Sequence, residues 1–243
     1  NYEFSLESYD TLIEAALAGQ WAGVGSPASA RVLKNGTTRR SFTIQKHFTD
    51  IGQFLNYRGC VVNTMSLEMR VGEIITGTFG VMGTATSRSE TQISGANIGS
   101  ASTTTPLNAV ADVGSIQVDS VPYTGCISEL SLNVNNNLRP VDCIGSLGHT
   151  DLLYGTVEIT GAMNIYFSEG SLYDKFINAQ SFSIYLPITN NSDTFEILIP
   201  KAKFETGEVV AGGQNSEVMF NATWRALYDS TQGAMIRLTY TNN

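Results

Sequence analysis

A strand-turn-strand pattern occurs twice in the chain, and this repeat constrains the fold more than any other feature of the sequence. The first copy opens with Gly59-Cys60-Val61-Val62 and the second with Gly125-Cys126-Ile127-Ser128. A Ser-Leu pair follows in each copy, and then a Gly-Thr-x-x-x-x-Gly pattern that begins at Gly77 and at Gly155. Internal similarity marks a supersecondary unit used more than once, but two hairpins bury too little surface for a solenoid. The repeat therefore predicts a duplicated hairpin within one β domain.

The domain prediction covers residues 1–243, with the hairpins at 59–83 and 125–161 and a polar arm or loop between them at 84–120. Apolar and polar residues alternate within both hairpins and in later runs, which is typical of half-buried strands. The later runs are 182–188, 195–199 and 218–224, and 235–240 is a last β-rich segment.

Two amphipathic segments predict short helices, one with Ser8 as its N-cap and one beginning near Ser171 with Leu172, Phe176 and Ile177 on its buried side. Together with about ten strands, they predict a mainly β fold, an antiparallel sandwich or barrel with one or two flanking α-helices.

Two turns and one loop complete the prediction. Asn35-Gly36, between two strand-like runs, is the strongest short-range signal for a hairpin, because both residues accept a positive φ. Asn190-Asn191-Ser192-Asp193 predicts a second turn. The polar stretch 84–105 has two interpretations, a mobile surface loop, which we favour, or an arm that orders against a neighbouring molecule.

Composition excludes several classes of function. A net charge of -8 and a pI near 4.7 oppose binding to nucleic acid, which is driven by lysine and arginine. The three cysteines form no C-x-x-C pair, so we expect buried free thiols in a reducing compartment. The sequence has no apolar run of about 18 residues and no signal-peptide profile. Because Asn1 is not a methionine, we expect that residues are missing before it.

Motifs for catalysis are absent from the sequence. The two histidines, His47 and His149, suit solvent-exposed or satisfied polar roles, and no G-x-S-x-G elbow, P-loop or dinucleotide fingerprint occurs. The nearest carboxylate pairs lack ligand spacing and are interpreted as exposed loop acids: Asp142 with Asp151, and Glu205 with Glu208. The sequence therefore predicts no enzyme, no cofactor and no metal site.

Two other functions stay open at this point. Tyrosines distributed along the chain provide stacking surfaces for sugars, although packing in the core is the favoured interpretation. They are Tyr57, Tyr123, Tyr154 and Tyr185. A carbohydrate-binding β-sandwich, such as an adhesin module, is the main alternative. A hydrolase with a site drawn from distant strands is the weakest, because the chain has only two histidines.

Several blocks of the chain, in order, resemble the tail tube protein of bacteriophages with long, non-contractile tails (siphophages). They are Tyr9-Asp10-Thr11-Leu12-Ile13-Glu14-Ala15-Ala16, Leu33-Lys34-Asn35-Gly36, Arg40-Ser41-Phe42-Thr43-Ile44-Gln45-Lys46-His47-Phe48-Thr49-Asp50, Tyr57-Arg58-Gly59-Cys60-Val61-Val62-Asn63, Ile75-Thr76-Gly77-Thr78-Phe79-Gly80-Val81-Met82-Gly83, Leu172-Tyr173-Asp174-Lys175-Phe176-Ile177-Asn178 and Ile197-Leu198-Ile199-Pro200-Lys201-Ala202-Lys203-Phe204. The glycine-rich insert at 22–30 departs from the family pattern.

The resemblance implies a β-sandwich subunit of the virion that forms hexameric rings, with a fold shared by the inner tubes of contractile tails and type VI secretion. Rings stack into a tube that conducts the genome and the tape measure protein to the host, after assembly in the bacterial cytoplasm. The partners implied are other copies of the chain, the tape measure protein, the tail terminator, the distal tail or baseplate proteins and, in transit, double-stranded DNA. No membrane contact is implied.

Two sets of residues are predicted from this resemblance. Polar faces of the repeat strands would line the lumen, where acidic and hydroxyl groups let DNA slide while fixed cations would retain it. The residues expected to face the lumen are Ser66, Glu68, Thr76, Thr78, Thr156, Glu158 and Thr160. The residues expected at contacts between rings are Ser87, Arg88, Ser89, Glu90, Thr103, Thr104 and Thr105.

Overall fold

A computed structural model describes residues 1–24, 30–190 and 193–242. Its strands form where apolar and polar residues alternate. The strands are β1 Tyr2–Glu3, β2 Ala22–Val24, β3 Ala30–Lys34, β4 Phe42–Phe48, β5 Gln53–Arg70, β6 Thr76–Met82, β7 Ala85–Ser89, β8 Gln117–Val118, β9 Val121–Pro122, β10 Ile127–Asn135, β11 Arg139–Val141, β12 Asp151–Leu153, β13 Glu158–Tyr166, β14 Phe182–Asn190, β15 Asp193–Ala211, β16 Val218–Ala226 and β17 Arg237–Thr241. The helices are α1 Asp10–Ala16 and α2 Ser171–Ile177.

The strands form two layers that share β15. The front sheet has the order β1-β6-β5-β10-β13-β16 and ends with residues 202–211 of β15. Residues 193–202 of the same strand pair with β14 on one side, and 194–198 pair with β17 on the other, so this half belongs to the back sheet. In the back sheet, β8 and β9 extend the β14 side, and β3 and β2 extend the β17 side. All of these strand pairs are antiparallel.

The hydrophobic core lies between the two sheets. Leu130, Leu132 and Trp224 of the front sheet meet Ile184 and Ile197 of the back sheet, and all five are at most 6% exposed. The prediction of a mainly β antiparallel sandwich with flanking helices is confirmed, and the sheets form no closed barrel within the described residues.

The two repeated hairpins lie side by side in the front sheet. Leu67 is opposite Leu132, and Met65 and Met69 are opposite Val134 and Leu130, so the equivalent strands β5 and β10 pair around a local two-fold axis. The second strands are shifted relative to the sequence alignment. Gly77 lies opposite Leu67 and Gly161 lies opposite Leu132, so Gly161, rather than Gly155, is the structural counterpart of Gly77.

The predicted hairpin at Asn35-Gly36 is wrong. β3 pairs with β2 and β17, while β4 pairs with β5. The side chain of Asn35 instead accepts hydrogen bonds from the backbone N–H groups of Met235 and Ile236 at 2.8 and 3.2 Å, and Gly36 donates to the carbonyl of Leu17 at 2.9 Å. These long-range contacts override the local turn preference.

Other local predictions need correction as well. Tyr9, not Ser8, is the N-cap of α1, and the hydroxyl of Ser8 bonds that of Ser5 at 2.8 Å. In α2, Leu172 is buried but Ile177 is 56% exposed. The turn after Asn190 includes residues 191–192, which lie outside the described residues, as do 25–29 of the predicted insert at 22–30.

The segment 84–120 is not a uniform polar loop. It contains β7 and β8, and Leu107 within it is 1% exposed. The backbone of Leu107 bonds Phe4 and Ile75, each at 2.8 Å, which ties the segment to the N-terminal strand and to the start of β6.

Candidate assembly surfaces

A broad polar face covers the outer side of the front sheet. Because side chains alternate along each strand, the residues between the core positions all point away from the core. The strand register aligns them in rows that cross six strands. One row is Thr78, Ser66, Asn133, Thr160, Arg225 and Lys203, and the next is Thr76, Glu68, Ser131, Ala162, Thr223 and Thr206. At about 4.8 Å per strand, the face is about 24 Å wide.

Charges of both signs on this polar face pair with one another. Arg225 donates from Nη1 to Glu158 Oε1 at 3.0 Å and from Nε to Glu205. The hydrogen bond from Arg225 lowers the pKa of the Glu158 carboxyl. Arg70 pairs similarly with Glu129, with Nε and Oε1 2.9 Å apart.

Most of the residues expected to face the lumen share the polar face. The register of β5, β6 and β13 puts Ser66, Glu68, Thr76, Thr78, Glu158 and Thr160 on it. Thr156 lies before β13 and is exposed, and its carbonyl accepts a hydrogen bond from Asn137 at 2.8 Å. Whether this face lines a channel stays a prediction.

Sequence reasoning missed the part of the polar face that lies on β10, β15 and β16. Three of its residues come from strands outside the repeat: Lys203, Thr223 and Arg225. Asn133 lies within the repeat but was not among the residues expected to face the lumen. The alternation of 218–224 was a sufficient signal for β16, but the sequence did not indicate that β13 and β15 pair with it.

Both edges of the front sheet are open. β1 covers only Thr76 and Gly77 of β6, and residues 203–211 of β15 pair with β16 on one side alone. Over 1–24, 30–190 and 193–242, no strand pairs with the outer side of 78–82 or of 203–211. Such edges present unpaired N–H and C=O groups to another strand.

A three-stranded ladder extends beyond the front sheet. The first half of β5, residues 53–60, pairs with β4 on one side and β7 on the other. Both faces of this β4–β5–β7 ladder contain exposed side chains, among them Ile44 and Tyr57 at 39% and 37%. At its centre, Asn56 is buried and accepts a hydrogen bond from Gln45 at 2.7 Å. The ladder is therefore ordered by its own hydrogen bonds and has little apolar packing.

The residues expected between rings fall into two separate groups. Ser87, Arg88 and Ser89 lie in β7, and Glu90 follows, with its carboxylate 3.5 Å from the guanidinium of Arg88. The exposed residues 103–105 precede Leu107, whose N–H donates to the carbonyl of Phe4, next to β1, at 2.8 Å. The structure does not bring Thr103, Thr104 and Thr105 into the ladder.

The residues considered for chemistry are engaged in structural contacts. His47 stacks on Phe54 with ring centroids 4.0 Å apart, and His149 Nδ1 lies 2.6 Å from Asp142 Oδ1. Glu205 is paired with Arg225, and Asp151 lies 4.0 Å from Arg39. Among the described residues, no three metal-ligating side chains cluster, and no helix has the length and apolar character needed to cross a membrane.

The tyrosines do not form one platform. Tyr57 is exposed on the ladder, whereas Tyr123 packs against the core. Tyr154 packs beside Leu138 and Leu152. Burial and Glu196 raise the pKa of Tyr185 to about 12.

All three cysteines are free, but only Cys60 is buried, and burial raises its pKa. The exposure of Cys126 and Cys143 corrects the expectation that all three are buried. Each of the two lies in or next to a loop between strands, where no apolar layer covers it.

When the chain is compared with known protein families, a family model matches most of its length. The family model described as phage tail tube protein matches residues 1–226. No curated protein matches the chain.

Proposed function

The chain belongs to the phage tail tube protein family, and from that premise we propose that it forms hexameric rings that stack into the tube of a long, non-contractile tail. Membership makes it a structural component of the virion with a non-enzymatic role. The genome and the tape measure protein pass through this tube to the host. The tail terminator and the distal tail proteins are its neighbours at the two ends.

The observation that carries the proposal is that the front sheet needs no partner on its faces but has unpaired strands at its two edges. One face packs on the core and the other is polar, whereas 78–82 and 203–211 have no partner strand on their outer sides among the described residues. When a neighbouring copy adds its own edge strand, the unpaired edge of each of the two copies gains a partner. Repeated around a ring, this addition closes a barrel of strands from all copies.

The polar face supports a role for the barrel as a channel. In a barrel closed in this way, the face away from the core lines the lumen. The charged residues on it are Glu3, Glu68, Arg70, Glu129, Glu158, Lys203, Glu205, Glu208 and Arg225. Carboxylates exceed cations, and Arg70 and Arg225 are both neutralised by glutamates. A wall of this kind offers DNA few sites for tight phosphate contacts.

The β4–β5–β7 ladder supports contact with further copies. A small ladder without a packed face is marginally stable in water. Ile44 and Tyr57 remain exposed on it, and contact with another subunit would cover them. We assign this contact to the same assembly.

Electron microscopy of the purified protein tests the proposal. Rings with six subunits, and tubes made by stacking them, are the expected result at high protein concentration. Light scattering that shows a monomer under all conditions, with no rings in negative stain, would contradict it. Binding to a glycan array by such a monomer would instead favour the carbohydrate-binding alternative.

A further inference from the structure

Two aliphatic side chains at the end of the β11–β12 hairpin make no contact with the rest of the described chain. Ile144 and Leu147 are 109% and 111% exposed, the highest values among the large apolar residues. Isolated exposed apolar residues are common, but two complete exposures within four positions of one loop are a feature that needs a partner. We call residues 142–149 the apolar tip.

The apolar tip is held in shape by its own polar groups. His149 Nδ1 and Asp142 Oδ1 are 2.6 Å apart and close the base of the loop. Within it, the N–H of Ser146 donates to the carbonyl of Cys143 at 3.1 Å, and its hydroxyl donates to the carbonyl of Gly148 at 2.8 Å. Ile144 and Leu147 are thus presented by an ordered loop.

The hairpin that carries the apolar tip is anchored to the sandwich. Leu138 and Leu152, at 8% and 2% exposure, pack with Val61 of β5. The guanidinium of Arg39 donates to the carbonyl of Leu152. The tip therefore projects from a fixed base beside the start of the β4–β5–β7 ladder.

An apolar crevice opens at the other end of the front sheet. Its lining is mostly apolar, with Arg70, Ser128 and Glu129 on its polar side. The apolar part includes Ala109, Val113, Ile116, Ile127 and Leu186. The rim adds three exposed valine and isoleucine side chains, Val71 at 62%, Ile74 at 42% and Val110 at 60%. The N–H of Ala109 donates to the carbonyl of Glu73 at 3.0 Å, which fixes this loop against the β5–β6 turn. We call this surface the apolar crevice.

The tip and the crevice cannot meet within one molecule. β10 starts at the crevice with Ile127 and ends at Asn135, from which the chain continues into the hairpin of the tip. The strand has nine residues, and its eight steps of about 3.3 Å separate the two ends by roughly 26 Å. A contact between them therefore joins two copies.

We propose that the apolar tip of one copy inserts into the apolar crevice of the next copy along the tube. This inference rests on the proposed function, in which the sheet edges join copies within a ring. The ends of the strands are then left to face the neighbouring rings. A contact that joins unlike surfaces is heterologous, and where its rotation does not close a ring, such contacts build an open filament. The tip and crevice thereby account for growth of the tube along its axis.

A double variant of the tip tests the inference. Ile144→Ser with Leu147→Ser should leave ring formation intact and raise the critical concentration for tubes by at least about a hundredfold. Burial of each side chain is worth about tenfold or more in association, and a hexameric ring loses both side chains at each of its contacts with the next ring. The matched control is Ile177→Ser, which removes an exposed isoleucine from α2 and should leave that concentration unchanged. Electron microscopy and sedimentation measure both.

A mixing experiment distinguishes a tip-to-crevice contact from a contact of like surfaces. Val71→Asp with Val110→Asp changes only exposed side chains of the rim and should also yield rings that do not stack. Preformed rings of the tip variant and the rim variant, when mixed, should form pairs of rings and stop there, because each pair has one intact tip-to-crevice contact.

Tubes that grow normally from the tip variant, loss of rings in that variant, or a mixture that forms no ring pairs would each overturn the inference while leaving the proposed function in place. Wild-type protein that forms neither rings nor tubes would overturn both.

Discussion

At the scale of single residues, the glycine that recurs in the second strand of each hairpin is explained by an aromatic ring that packs against it. A Cβ on Gly77 would meet the Tyr2 ring and the carbonyl oxygen of Ser66, and a Cβ on Gly161 would meet the Trp224 ring and the carbonyl oxygen of Ser131. The sequence indicated that glycines recur, but not which ones correspond. That depends on Tyr2 and Trp224, which are far from both glycines in the chain, and on a register that only pairing defines.

Replacement of Gly161 by alanine is expected to destabilise the subunit strongly. Because one of the overlapping atoms is a backbone oxygen, Gly161→Ala should lower the free energy of unfolding by about 3 kcal/mol, the upper end of the range for overpacking. Urea denaturation of the monomer measures it. The control is Gly99→Ala, which adds a methyl group in open space and should change the same quantity by less than about 0.5 kcal/mol. Equal effects of the two substitutions would refute the packing argument.

At the scale of elements, strands with a clean alternation were predictable, and elements defined by distant partners were not. The runs at 182–188 and 218–224 became β14 and β16, since each has one face on the core. Asn35-Gly36 failed as a hairpin because Asn35 serves the backbone before β17, 200 residues away. β5 and β15 are unusually long, and each pairs with different strands in its two halves. The local sequence pattern did not indicate this length.

Hydrogen exchange tests the two open edges of the front sheet. If rings close by edge addition, amides in 78–82 and 203–211 should exchange more slowly in rings or tubes than in the monomer, because new strand pairing protects them. β10, which has partners on both sides, serves as the internal control and should be protected in both states. Assembly without added protection in either edge segment would count against closure through these strands.

At the scale of the whole molecule, the two faces of the front sheet have different roles. Its inner face, with Leu132 and Trp224, holds the sandwich together, and its outer face carries Asn133 and Thr223 in the same strands. The sequence predicted such a division for the repeat, where polar and apolar residues alternate. It did not predict that β16 and half of β15 extend the same face, because their neighbours in the sheet are not their neighbours in the chain.

If the polar face lines the channel, new cations on it should slow the passage of DNA. The double variant Asn133→Lys with Thr223→Lys adds two positive charges at exposed positions of the face and should still assemble. Ejection of DNA from particles with such tails should be slower at low salt and recover as salt is raised, because ions screen the attraction to phosphate. The control variant, Thr11→Lys with Gln20→Lys, adds the same charge at exposed positions in and after α1, which packs on the other side of the sheet. Equal ejection rates for the two variants at every salt concentration would mean that the polar face does not contact the passing genome.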